Sequence, residues 1–324
     1  MRLPGCLAIA AAVAALTPAA LRAQAQAGDD ASAASSPLAP LYAQFDDALP
    51  PTLIGADDAA SRWLSGRLSA LEPSAQIRDY AAAVAREPKE MLYVASLADA
   101  CMGVGALPPR DCTDRDPVAY WVSRDTDNAV PWLLQAERAR RRNNVPALID
   151  NLDRASKSGR YATYEADAAP SLWKKLAPLV ASENRGAAAL YALDARQASD
   201  ASLVALENLC APASRGLDAR IGGACLRLAI LMAERAPLFA DRRAGTQLAL
   251  NLATDRASAA PAEQARTVVA QQDRCREAVN TLRRYAVGTP AQRDRAGATG
   301  GEFLAMRARD GEPAACTALA TAMR

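Results

Sequence analysis

Residues 217–235 read Leu-Asp-Ala-Arg-Ile-Gly-Gly-Ala-Cys-Leu-Arg-Leu-Ala-Ile-Leu-Met-Ala-Glu-Arg. Leu217, Ile221, Cys225, Leu228 and Met232, with Leu231 beside them, recur at the 3.6-residue spacing of one helical face. A helix carrying such a stripe has to bury it. The flanking runs supply partners, Leu203, Leu206 and Leu209 before it and Leu248 and Leu252 after it, and short connections make such neighbours antiparallel. Helix-on-helix packing follows.

Composition extends that reading to the whole chain. Of 324 residues, 51% are hydrophobic and 23% charged, which suffices for one or two packed domains. Alanine occurs 79 times, whereas aromatic residues make up only 5%. Alanine favours helix over β-branched residues by about 0.5 kcal/mol, and no segment alternates Val, Ile and Thr as a strand would. The fold class expected is all-α, antiparallel helical hairpins stacked as an array or an irregular bundle. Pro, Gly and Asp/Asn punctuation places helices near 57–71, 74–86, 88–102, 116–123, 128–143, 145–157, 170–182, 184–197, 200–210, 217–235, 241–255, 261–286 and 313–323. Gly297-Ala298-Thr299-Gly300-Gly301 lacks the Lys-Ser/Thr ending of a phosphate-binding loop and reads as a flexible connection.

The N-terminus has the pattern of an export signal. Arg2 precedes an apolar run from Leu7 to Leu16, and Ala23-Gln24-Ala25 is a small-x-small cleavage pattern, so the mature chain is expected from Gln26. Pro18 and Arg22 interrupt the run before it reaches the roughly 20 residues of a membrane span. Residues 26–40, rich in Ala, Ser, Asp and Pro, have too little apolar surface to offset ordering and are expected as a disordered tether. Two helical regions follow, 41–197 and 198–324. Loss of Arg2 and Arg22 with the signal takes the formal charge from +2 to 0, which gives no support to nucleic-acid binding. The expected location is the periplasm, with secretion as the alternative.

Cleavage also leaves six cysteines in an oxidising compartment, Cys101, Cys112, Cys210, Cys225, Cys275 and Cys316. Six allow fifteen pairings, but they fall into sequence-local couples: 101 with 112, 210 with 225, and 275 with 316. Structural bridges between these couples are expected. The chain-entropy account assigns roughly 3 kcal/mol to each short loop and about 4 to the longest. Redox catalysis calls for Cys-x-x-Cys, which is missing.

The chain contains no histidine. Ser-His-Asp hydrolases, Cys-His proteases, His-ligated zinc enzymes and histidine phosphorelays are thereby excluded. No metal site, cofactor or catalytic residue is assigned. Asp125-Thr126-Asp127-Asn128 begins like a calcium loop, but Val130 stands where glycine is required, and helix capping explains the segment better.

One segment resembles a known family. Trp132 and Ala136, followed by Leu152 and Ala155, are similar to the two helices of a tetratricopeptide repeat, over about residues 127–155. The departures are Ala139 in place of an aromatic, Asn143 in place of the turn glycine and Leu148 in place of a small residue. The resemblance implies stacked helix pairs with a concave surface for a protein or peptide.

Six aromatic residues, Tyr120, Trp121, Trp132, Tyr161, Tyr164 and Trp173, fall in one 54-residue span. Trp132 and Trp173 read as core residues, while Tyr161 and Tyr164, flanked by Gly, Ala and Asp, read as exposed and are the candidate partner surface. Arg138, Arg140, Arg141 and Arg142 complement a helix C-terminus. Glycan-cleaving enzymes need only carboxylates, and Glu183, Glu207 and Glu234 sit on helical segments. The sequence therefore points first to a non-enzymatic scaffold or adaptor of the bacterial envelope with an unidentified protein or peptide partner. A carboxylate-dependent cell-wall hydrolase is the alternative.

Overall fold

The computed structural model describes residues 37–53, 56–68, 72–103, 109–195, 201–253 and 259–324. The expected signal over 1–25 and residues 26–36 of the expected tether lie outside the described residues. The fold is all-α; among the described residues the only β-type pairing is an isolated parallel bridge between Asn128 and Arg160. No described helix is long and apolar enough to cross a membrane.

Among the described residues the first eight helices in chain order are α1 (Ala39–Leu53), α2 (Ala59–Leu68), α3 (Pro73–Arg86), α4 (Met91–Gly103), α5 (Arg110–Thr113), α6 (Pro117–Arg124), α7 (Ala129–Arg141) and α8 (Val145–Lys157). Then follow α9 (Glu165–Leu176), α10 (Arg185–Asp194), α11 (Ala201–Cys210), α12 (Pro212–Arg215), α13 (Ala219–Arg235), α14 (Phe239–Leu252), α15 (Ala259–Ala286), α16 (Pro290–Asp310) and α17 (Glu312–Ala322). Sequence neighbours pack as pairs: α2 with α3, α7 with α8, α13 with α14, and α16 with α17.

The striped helix forms as its periodicity dictates. Asp218 caps α13 by accepting from the backbone N–H of Arg220 at 2.8 Å, and Ile221, Cys225, Leu228 and Met232 are buried. Leu217, assigned to the same stripe, precedes the cap and is 57% exposed. Each fully buried leucine contributes roughly 1.5–3 kcal/mol. In the α7/α8 pair, Asn143 supplies the left-handed residue of the turn (φ 54°), a conformation that asparagine tolerates nearly as glycine does. Asn144 then caps α8, accepting from Ala147 N–H at 3.2 Å. Ala136, Leu148, Leu152 and Ala155 are fully buried between the two helices, while Trp132 is half-buried beneath the Arg154 guanidinium.

Besides the four-residue helices α5 and α12, two helices lie where none was expected. α1 begins at Ala39, inside the expected tether, and buries Phe45, Leu49 and Leu53; this helix was not anticipated. The segment Gly297–Gly301, expected as a loop, lies in the middle of α16. Glycines on both helices let them approach: a Cβ on Gly300 would meet the Ala189 Cβ of α10 at 2.7 Å, and one on Gly186 of α10 would meet the Ala296 Cβ at 2.7 Å. Tertiary contact here outweighs the roughly 1 kcal/mol penalty of each helical glycine.

The three expected bridges are present, Cys101–Cys112, Cys210–Cys225 and Cys275–Cys316, with Cα separations of 5.6, 5.8 and 4.9 Å. Two cores form. One gathers Leu49, Trp63, Tyr80, Leu172, Phe303 and Leu319; the other gathers Val94, Trp121, Leu133, Leu152, Leu209 and Leu228. Each core draws on residues from both sides of position 197, so the division into 41–197 and 198–324 does not follow the packing.

Candidate functional site

A candidate site is a cleft of about 920 Å³ bounded by α3, α4, α5 and α6. One wall is the run Ala81-Ala82-Ala83-Val84-Ala85 of α3, of which all but Ala83 line the space. Small side chains on this helix leave a gap beside α6 that larger ones would fill. Val94 and Leu97 of α4, both buried, lie at the cleft, and Pro117 and Tyr120 of α6 lie opposite α3. Arg78, Asp111, Asp114 and Arg115 are exposed charges at the rim.

Among the described residues the backbone along the walls is paired mostly within helices. Asp116 caps α6 through Ala119 N–H at 3.0 Å, and the Tyr120 hydroxyl donates to the Pro88 carbonyl at 2.9 Å. Asp116 also pairs with Arg138 at 2.5 Å; burial works the other way, but hydrogen bonds from Arg138 and the α6 N-terminus hold its carboxyl below the usual range. The cleft therefore offers apolar surface and rim charge, and no free strand edge.

The tyrosines expected at a partner surface are placed elsewhere. Tyr161 is 1% exposed and its hydroxyl shares a 2.8 Å hydrogen bond with Ser202, which corrects the expectation that it is accessible. Its flanking polar residues turn outward while the ring enters the second core. Tyr164 is half-buried and adopts a left-handed conformation (φ 64°) where the chain enters α9. For a tyrosine this strain costs of order 1–3 kcal/mol. The hydroxyl donates to Asp125 at 2.9 Å and accepts from Arg160 at 3.0 Å, and the ring lies 6.0 Å from that of Trp121. Burial first, and then the Asp125 charge, push its hydroxyl up to about 12.

Asp125 lies at the centre of a polar knot. This buried carboxylate accepts from Trp121 Nε1, Asn128 Nδ2, Tyr164 and Arg160. Asn128 in turn caps α7 and both donates to and accepts from the backbone of Ala162. The segment that begins like a calcium loop thus ties the α6–α7 turn to the α8–α9 turn. Among the described residues no cluster of three or more acidic, Cys or His side chains is arranged to hold a metal ion.

The arginine cluster at the end of α7 is also structural. Arg140 and Arg141 donate to the carboxylate of Glu137, which is 1% exposed, and Arg141 further donates to the Met102 carbonyl at 2.9 Å. Burial opposes the shift, but these hydrogen bonds keep the Glu137 carboxyl below its usual range. Glu183, Glu207 and Glu234 are exposed, on a 3-10 turn, α11 and α13 respectively, and none lines the cleft. Of the aromatic group, Trp121 is buried, Trp173 is half-buried with its ring against Gly301, and only Tyr120 reaches the cleft.

Arg78, Ala81, Ala85 and Arg115 were not identified from sequence. The available signal was the alanine run at 81–85, which cannot fill the space beside a neighbouring helix, followed at once by Pro88. No family model matches the sequence, and no curated protein or solved structure does.

Proposed function

We propose that this protein is an exported helical adaptor of the bacterial envelope that takes a helical segment of a partner protein into the α3–α6 cleft. The observation that carries the reading is the nature of the cleft walls: small apolar side chains on helices whose backbone groups are paired mostly within the helices. An extended peptide would bring unpaired N–H and C=O groups into that apolar trough, at about 1–3 kcal/mol for each one left unsatisfied. A helix satisfies its own and presents apolar residues at i, i+3 and i+4 spacing. The rim supports the same choice, with Arg78 on the α3 side and Asp111 and Asp114 on the α5 side suited to opposite charges on the flanks of such a helix. Pairing of all six cysteines outside the signal region supports an oxidising location, and the α7/α8 pair, similar to a tetratricopeptide unit, supports a protein-binding scaffold.

The test is site-specific photo-crosslinking in the producing cell. A small diazirine amino acid in place of Ala85 is expected to give a discrete protein adduct, and one in place of exposed Leu217 none. Ala81→Trp, which fills the trough, is expected to abolish the adduct while leaving the helical circular dichroism spectrum intact. No adduct at position 85, or an adduct indifferent to Ala81→Trp, would overturn the proposal. Release of muropeptides from cell-wall material by the purified protein would replace it with the hydrolase reading.

A further inference from the structure

The three disulfides are unequal in access and in what they hold. Cys210, Cys225, Cys275 and Cys316 are all buried, as is Cys112, whereas Cys101 at the end of α4 is partly exposed. Cys210–Cys225 and Cys275–Cys316 join longer helices that are also packed into the two cores. Cys101–Cys112 instead anchors the four-residue helix α5. Every residue from Arg110 to Arg115 except Cys112 is exposed. Their hydrogen bonds stay local, Cys112 N–H to Pro109 O, Asp114 N–H to Arg110 O, and the Thr113 hydroxyl to Arg110 O and Asp114. Among the described residues none of them bonds to another helix. Among the described residues Cys112 is thus the one buried member, and its bridge the one covalent tie to another helix, of a segment that contributes Asp111, Asp114 and Arg115 to the cleft.

We infer that the Cys101–Cys112 bridge is a redox latch on the α3–α6 cleft: closed, it holds α5 as a wall of the site, and opened by a dithiol, it releases that wall. The consequence for partner binding rests on the adaptor reading above; the latch itself does not. Chemically, a thiolate of the dithiol attacks the sulfur of Cys101, forming a mixed disulfide and breaking the Cys101–Cys112 bond. Cys112 leaves as a thiolate and takes up a proton. The second thiolate of the dithiol then attacks its own sulfur in the mixed disulfide and releases Cys101, which is protonated in turn. The dithiol is oxidised by two electrons to its cyclic or paired disulfide, and the bridge is reduced by the same two. Attack requires access, so the bridge with a partly exposed member is the one that reacts first.

The experiment uses the full mature protein with all three bridges formed. It is titrated with dithiothreitol, quenched with an alkylating reagent and analysed by peptide mass spectrometry alongside amide hydrogen exchange. Cys101 and Cys112 are expected to be alkylated at a dithiothreitol concentration at least tenfold below that needed for the other four. At that point exchange of the amides from Arg110 to Asp116 is expected to rise at least tenfold while that of α13 stays unchanged. The Cys101→Ser/Cys112→Ser double variant is expected to reproduce the rise without reductant. Opening of another bridge first, or unchanged exchange over Arg110–Asp116 once this one is open, would overturn the latch. The crosslink at position 85 separates the two readings: an adduct in the oxidised protein that weakens several-fold on selective reduction supports both. Absence of that adduct in the oxidised protein removes the adaptor reading while leaving the exchange result to decide the latch.

Discussion

Gly300 of α16 faces Ala189 of α10 so closely that a Cβ added to the glycine would stand 2.7 Å from the alanine Cβ, well inside the contact distance of two carbons. The two helices cross where neither backbone has a side chain to spare. Gly300→Ala is therefore expected to destabilise the fold by about 1–3 kcal/mol through overpacking, although alanine is the better helix former. Gly222, within α13, has nothing within 4 Å of its added Cβ, and Gly222→Ala is expected to stabilise by about 0.5–1 kcal/mol. Urea unfolding of the two variants checks the opposite signs.

Much of this architecture was readable in advance, and the parts that were not share a cause. The stripe on α13, Leu217 apart, and the three cysteine couples are short-range patterns, and they appear where expected. The central glycines of α16 looked like a loop because the reason for them lies on α10, about a hundred residues away in the chain. Tyr161 reads as exposed because Gly, Ala and Asp flank it, yet an irregular segment can turn one ring inward where periodicity offers no guide. The cleft has the same character: it arises from small side chains on one helix and the reach of three others.

The polar knot gives a prediction about stability. Asn128 donates to Asp125 and to the Ala162 carbonyl, each at 2.8 Å, from a fully buried position. Asn128→Asp keeps the shape, removes both donors and sets a second carboxylate against the first. A loss of about 2–4 kcal/mol is expected at neutral pH. Denaturant melts of the variant and the parent measure it.

Asp167 lies in the first turn of α9. Burial first, and then the charge of Glu90, raise its carboxyl from 3.8 to about 6, while Arg307 pulls the other way. The folded protein binds this proton more tightly than the unfolded chain, so stability falls as pH rises from about 4 to about 6 and stays lower above. Asp167→Asn is expected to gain about 1–2 kcal/mol relative to the parent at pH 7.5 and close to nothing at pH 3.5. A pH series of thermal melts checks both ends.

Substitution of Tyr161 is expected to read out as stability rather than recognition. Tyr161→Phe removes a buried hydroxyl shared with Ser202 and should lose about 1 kcal/mol, and Tyr161→Ala about 3–5 kcal/mol through the cavity it opens. At a temperature where Tyr161→Phe is fully folded, the yield of the crosslink at position 85 is expected to match that of the parent.

The two cores also differ in when they can be finished. The second is complete in residues 94–252, whereas the first needs Leu38 and Leu49 from one end of the chain and Leu319 and Met323 from the other. A polypeptide emerging N-terminus first can thus close its second core while the tail is still inside the channel. The two helices on which α17 packs, α15 and α16, remain without it until it arrives, and during that interval their apolar faces are the surface a chaperone would find.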